Sequence, residues 1–169
     1  MRRLLGIDVG ERRLGLAVAD EPDGRAFPLA TITRSREIEP EVAALARVVA
    51  EQGITEIVVG LPLEASGAEG PQAALTRAWV EGVASRLGLP IAMRDERLSS
   101  HLAEVRVGPM KRGRSGGPPT PSQRLSYRSR IDREAAAIIL QDELDARAAR
   151  ESAPARDGRT TSDEMESSG

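Results

Sequence analysis

The order of apolar segments along the chain constrains its fold more than any other feature. Three short runs of strand-forming residues open the sequence, at residues 3–9, 14–19 and 26–33, and only GERR separates the first two. Connections this tight pair strands in antiparallel fashion. After residue 38, segments with helical periodicity alternate with single apolar strands. We therefore predict an α/β protein with a mixed sheet flanked by helices.

The later elements complete this pattern. Apolar residues at helical spacing predict helices at 39–52, 71–87, 99–105 and 131–148, and continuous apolar runs predict strands at 56–60 and 91–95. Three meander strands followed by alternating helices and strands make the mixed five-stranded sheet of ribonuclease H-like folds. Sites in such open sheets gather at the carboxyl ends of the strands.

Composition limits the number of domains and the kinds of site. A chain of 169 residues that is 40% hydrophobic predicts one domain, at 1–148, and the polar composition of 149–169 predicts a disordered tail. With no cysteine and a single histidine, His101, any metal must be held by oxygen atoms. The amino-terminal apolar run is too short for a signal peptide or a membrane span. We expect a cytoplasmic protein without a membrane partner.

Three acidic residues occupy unusual positions. Asp8 interrupts an apolar strand, where it either caps a turn or belongs to a charged site, because an uncompensated buried carboxylate is costly. Asp132 precedes Ala135, Ala136 and Ile139 at helical spacing, so its side chain is expected to face the sheet. Glu96 follows the strand at 91–95, at a sheet end that the topology brings close to Asp8.

Three converging carboxylates would make a binding site for Mg²⁺ or Mn²⁺, which prefer oxygen ligands. Two such ions can activate a water molecule and stabilise the leaving oxygen of a phosphodiester. The residue types therefore point to Asp8, Glu96 and Asp132 as metal ligands and catalytic groups.

Residues 109–130, which we call the basic arm, carry six positive charges and no negative charge. The arm either neutralises nucleic-acid phosphates, with salt-sensitive affinity, or is a solvated loop rich in Gly, Pro and Ser. Candidate nucleic-acid-binding residues are Arg13, Lys111, Arg112, Arg114 and Arg128.

Several motifs resemble the YqgF/RuvX family in order and spacing. They are DVGERRLGLA from Asp8, VVGLP from Val58, Gly67 with EGPQ from Glu69, DERLS from Asp95 and IDREAAAIIL from Ile131. The resemblance covers about residues 4–144 and implies a ribonuclease H-like fold related to Holliday junction resolvases. It also implies Asp8, Glu96 and Asp132 as the catalytic acids. Members are described either as junction resolvases or as nucleases that mature the 5′ end of pre-16S ribosomal RNA, so we expect a metal-dependent nuclease.

Two other functions are compatible with parts of the sequence. GIDVG followed by a hairpin also resembles the phosphate-binding start of actin-like phosphotransferases, but those proteins enclose a nucleotide between two such domains. A non-catalytic nucleic-acid-binding or regulatory module would use the acids only to support the fold. Symmetric cleavage of branched DNA would favour a homodimer, whereas processing of one end of a structured RNA would not.

Overall fold

A computed structural model of the protein describes residues 1–21, 24–96, 99–113 and 115–154. Its elements, in chain order, are β1 (Arg2–Val9), β2 (Arg13–Glu21), β3 (Arg25–Thr33), α1 (Ile38–Gln52), β4 (Glu56–Pro62), α2 (Pro71–Leu87), β5 (Ile91–Glu96), α3 (Ser99–Val107) and α4 (Pro121–Ser152). Within the described ranges, no helix has the length and hydrophobicity needed to cross a membrane.

The five strands form one sheet in the order β3-β2-β1-β4-β5. β2 is antiparallel to β1 and β3, whereas β1, β4 and β5 run parallel to one another. The predicted ribonuclease H-like mixed sheet flanked by helices is thereby confirmed. This order places β1 at the centre, so that its carboxyl end and those of β4 and β5 share one edge of the sheet.

Different helices cover the two faces of the sheet. Successive side chains of a strand point to opposite faces. Along β1, Leu5 and Ile7 pack in the core formed with α1 and α2, whereas Leu4 packs in the core formed with α4. Gly6 and Asp8 share the face of Leu4. Asp8 therefore lies on the side of the sheet that α4 covers.

α4 packs unusually close to the sheet because glycines line its path on three neighbouring strands. A Cβ atom at Gly6 of β1 would lie 2.7 Å from Cβ of Leu140, and one at Gly60 of β4 would lie 2.5 Å from Cδ1 of Ile139. At Gly15 of β2, a Cβ atom would overlap the backbone carbonyl of Asp132. The sheet surface therefore has no side chains at the points where α4 approaches it.

α4 starts earlier than the sequence pattern predicted. It begins at Pro121 instead of residue 131, because Thr120 and Gln123 form a reciprocal capping box and Pro121 occupies the first turn. Arg124, Arg128 and Arg130 of the basic arm are consequently helical, and the connection from α3 covers only residues 108–120. The helix extends past residue 148 to Ser152, and residues 155–169 of the predicted tail lie outside the described residues.

The close approach at Gly15 predicts that Gly15→Ala destabilises the fold by about 1–3 kcal/mol or more, the cost typical of overpacked cores. Urea denaturation measures this loss. Gly117→Ala is the matched control, since a Cβ atom there meets open space. Equal stability of the two variants would show that α4 is not held against β2 as described.

Candidate active site

A cleft of about 230 Å³ lies between α4 and the carboxyl ends of β1, β4 and β5. Asp8, Glu96 and Asp132, the three acids selected from the sequence, all line it, together with Ser99 and Ser100 at the start of α3. The fold thus brings together three carboxylates that are far apart in sequence.

Each acid is fixed by a different element. Asp8 is the penultimate residue of β1, and Glu96 ends β5, where its carbonyl accepts a 2.9 Å hydrogen bond from the backbone N–H of Leu63. Asp132 is the residue of α4 that packs directly over Gly15. The positions of the three acids therefore depend on the ends of β1 and β5 and on the position of α4. All of these belong to rigid secondary structure.

Burial and mutual repulsion raise the pKa of two of these acids. Burial raises the pKa of Asp8 to about 7, and the negative charge of Asp132 contributes to that shift. The pKa of Glu96 is raised to about 8, first by burial and then by a hydrogen bond with Asp142 and the charges of Asp142 and Asp8, which outweigh the opposing effect of Arg94. The carboxylates in the cleft are therefore close enough together to favour their protonated forms, unless a cation binds beside them.

The guanidinium of Arg13 already forms an ion pair within the protein, because its Nε donates a hydrogen bond of 2.5 Å to Oδ2 of Asp132. The same guanidinium lines a neighbouring cavity of about 270 Å³ together with Arg12 and Arg128. Two of the predicted nucleic-acid-binding residues, Arg13 and Arg128, thus lie beside the acidic cleft.

The remaining candidates of the basic arm lie away from this cavity wall or beyond the described residues. Lys111 and Arg112 are exposed on the connection between α3 and α4, and Arg114 lies outside the described residues.

Sequence reasoning missed Asp142, which approaches Glu96 from α4. Its spacing along the helix could have indicated it, because Asp142 follows Ile139 by three residues and so lies on the same side of α4. Ile139 lines the cleft. The two serines of α3 were not assigned to the site either, although Ser99 ends the DERLS motif.

The residues of the cleft fit a divalent cation in their chemistry. Among the residues that the structure describes, no three His, Cys, Asp or Glu side chains lie close enough together to form a ready-made metal cage. Mg²⁺ does not require one, because it is usually held by one or two carboxylates, several waters and substrate phosphates. A donor set made only of oxygen atoms, with charges that repel one another, suits such an ion.

Sequence comparison identifies the family of the chain. The family model described as "RuvX: Holliday junction resolvase" matches residues 2–146. The chain belongs to the RuvX family. Relatives provisionally named pre-16S rRNA nucleases include one from Chloroflexus aggregans, 44% identical over 85% of this chain and 94% of its own length. Another, from Anaeromyxobacter dehalogenans, is 44% identical over 86% of this chain and 98% of its own length.

Solved structures of two resolvases match the fold at low sequence identity. RuvC from Thermus thermophilus in complex with a Holliday junction substrate is 22% identical, with a TM-score of 0.48, over 86% of this chain and 96% of that chain. The fowlpox virus Holliday junction resolvase is 12% identical, with a TM-score of 0.46, over 85% of this chain and 99% of that chain. Because both TM-scores are low, the family assignment rests on the sequence match.

The raised pKa of Asp8 predicts how pH changes the stability of the metal-free RuvX chain. The pKa of Asp8 is near 3.8 when the chain is unfolded and about 7 when it is folded, so the folded state binds the proton more tightly. The stability that this group contributes is greatest at low pH and is lost as the pH rises towards 7, with a slope of up to about 1.4 kcal/mol per pH unit.

Urea denaturation in metal-free buffer, between about pH 5 and about pH 8, measures this slope. We expect Asp8→Asn to reduce the slope, leaving the part that the raised pKa of Glu96 adds over the same range. Asp20→Asn, at the opposite end of β2 from the cleft, should leave the slope unchanged. A slope in Asp8→Asn as steep as in the wild type would mean that the Asp8 carboxylate is not the titrating group.

Proposed function

We propose that this RuvX chain is a divalent-metal-dependent nuclease that hydrolyses phosphodiester bonds with Asp8, Glu96 and Asp132. The observation that carries the proposal is the convergence of these three acids on one cleft beside two arginines. Membership of a family described as resolvases and identity of 44% to relatives named as nucleases support a hydrolase acting on nucleic acid. A regulatory module would not need two acids held at raised pKa in an open cleft.

A bound Mg²⁺ or Mn²⁺ would supply the chemistry of activating a water and stabilising the leaving oxygen. Asp8 and Glu96 would hold such an ion in their ionised forms, so their protons would be released when it binds. The ion pair with Arg13 fixes the carboxylate of Asp132 in one orientation. Arg13 and Arg128 lie where they can hold a phosphate of the strand beside the acids.

The curated relatives favour an RNA substrate. Their names refer to pre-16S rRNA, and we propose 5′-end processing of this precursor as the reaction. Such a substrate would place the protein in the cytoplasm. The family description favours a second substrate, the Holliday junction, for which a homodimer would supply two equivalent cuts.

Substituting any one acid should abolish cleavage while leaving the fold intact. Asp8→Asn, Glu96→Gln and Asp132→Asn each keep the side-chain size and remove a metal-binding charge. We expect losses larger than the roughly 10- to 100-fold that removal of an outer metal partner causes. The assay follows cleavage of labelled four-way DNA, single-stranded DNA and a pre-16S rRNA fragment with Mg²⁺ or Mn²⁺, and Asp20→Asn is the control.

Two results of this assay would refute the proposal. One is full activity of a folded acid variant at saturating Mn²⁺. The other is the absence of cleavage by the wild type on every substrate. Preference for the RNA or for the junction decides between the two substrates.

The basic residues should affect binding more than cleavage at saturating substrate. We expect Arg112→Ala and Arg128→Ala each to weaken nucleic-acid binding and to reduce the salt dependence of the affinity by about one unit of slope. Binding titrations at several salt concentrations, with each variant made in a chain that also carries Asp8→Asn, measure the affinity and its salt dependence. Arg86→Ala, on α2 at the other face of the sheet, is the control, and an unchanged slope for Arg128→Ala would exclude a phosphate contact there.

A further inference from the structure

A third cavity, of about 310 Å³, adjoins the active-site cleft on the side of α2. It lies between the β1–β2 connection and the first half of α2, and its walls are Val9, Glu11, Arg34, Gln72, Leu75 and Thr76. Val9 lines both cavities, and it directly follows Asp8 in the chain. A ligand in this cavity would therefore touch the same strand end that carries a catalytic acid. Its volume is at the lower end of the range for small-ligand sites.

Thr76 is the residue of this cavity whose hydrogen bonding is incomplete. Its side chain is only 1% exposed, and its Oγ1 has no hydrogen-bond partner among the described residues. Buried hydroxyl groups in native proteins are usually paired, and leaving one unpaired is costly. A polar edge entering the cavity would give this hydroxyl a partner.

The position of Arg34 in the cavity wall is fixed by the protein. Its Nε donates to Oε1 of Glu41 at 3.1 Å, and its Nη1 donates to the carbonyl of Gly10 at 2.9 Å. Glu41 is itself buried and accepts a 2.7 Å hydrogen bond from Nε1 of Trp79. Arg34 thus presents a fixed planar group to the cavity while tying down the turn after Asp8.

The chemistry of the walls selects the class of ligand. The positive charge of Arg34 is balanced by its ion pair with Glu41, and Glu11 adds a negative charge to the wall, so the cavity does not favour a phosphate. Gln72 and Thr76 offer hydrogen-bond donors and acceptors, whereas Val9 and Leu75 are apolar. This combination suits a neutral, flat group with polar edges, which describes a nucleobase.

We propose that this cavity binds one unpaired base of the nucleic-acid strand, next to the phosphate that is cut. The base would lie against Leu75, which is 65% exposed, and the guanidinium of Arg34, a platform that RNA-binding proteins use in place of aromatic rings. Thr76 and Gln72 would bind its polar edge. This inference rests on the proposed nuclease function and adds that the substrate is unpaired beside the cut.

Binding to oligonucleotides that lack single bases tests the proposal. The full-length chain carrying Asp8→Asn is titrated with an RNA and a branched DNA, each intact or with one abasic position at a time. We expect one abasic position to weaken binding by about tenfold, within the range for the loss of one stacked base. Adding Leu75→Ala or Thr76→Val should weaken binding of the intact strand by a similar factor and remove the sensitivity to that abasic position.

Val105→Ala is the matched control, since Val105 is an apolar side chain of similar exposure, 66%, on α3. It should keep the wild-type sensitivity to abasic positions. Equal binding of intact and abasic strands at every position, or an unchanged sensitivity in the Leu75→Ala chain, would overturn the base site. Cleavage by the chain with Asp8 intact is measured separately, so that failure of the nuclease proposal is distinguishable from failure of the base site.

Discussion

The close packing of α4 against the sheet is the constraint on which the rest of the structure depends. Glycines at Gly6, Gly15 and Gly60 remove the side chains that would otherwise hold the helix away. Asp132 consequently lies directly over β2, within reach of Arg13 from that strand and of the charge of Asp8. A helix displaced outward by one side chain would leave these groups too far apart to act on one phosphate.

The same packing explains why the carboxylates in the cleft repel one another. Carboxylates from β1, β5 and α4 are brought together, and one nearby arginine is already engaged by Asp132. Two of the acids therefore hold protons more tightly than usual, Asp8 near pH 7 and Glu96 near pH 8. A metal ion that bound here would have to displace those protons, so its affinity would increase with pH.

Features of the protein that depend on local sequence pattern were predictable from the sequence. Alternating and helical periodicity located the strands and most helices, and the apolar neighbours of Asp8 and Asp132 indicated acids facing inward. The early start of α4 was missed, because a Gly- and Pro-rich segment concealed the capping residues Thr120 and Gln123. The ion pair of Arg13 and the unpaired hydroxyl of Thr76 could not be predicted, since each depends on contacts between elements distant in sequence.

The proposed nuclease reaction requires that Asp8, Glu96 and Asp132 together bind divalent metal where a phosphate is cut. The most direct test is anomalous diffraction from crystals of the chain grown with Mn²⁺ and a nucleic-acid fragment. We expect a manganese peak in the cleft, with oxygen atoms of at least two of these acids as ligands and a phosphate oxygen beside them. Manganese bound only elsewhere, or a phosphate seated in the cleft with no metal ion at these acids, would contradict it.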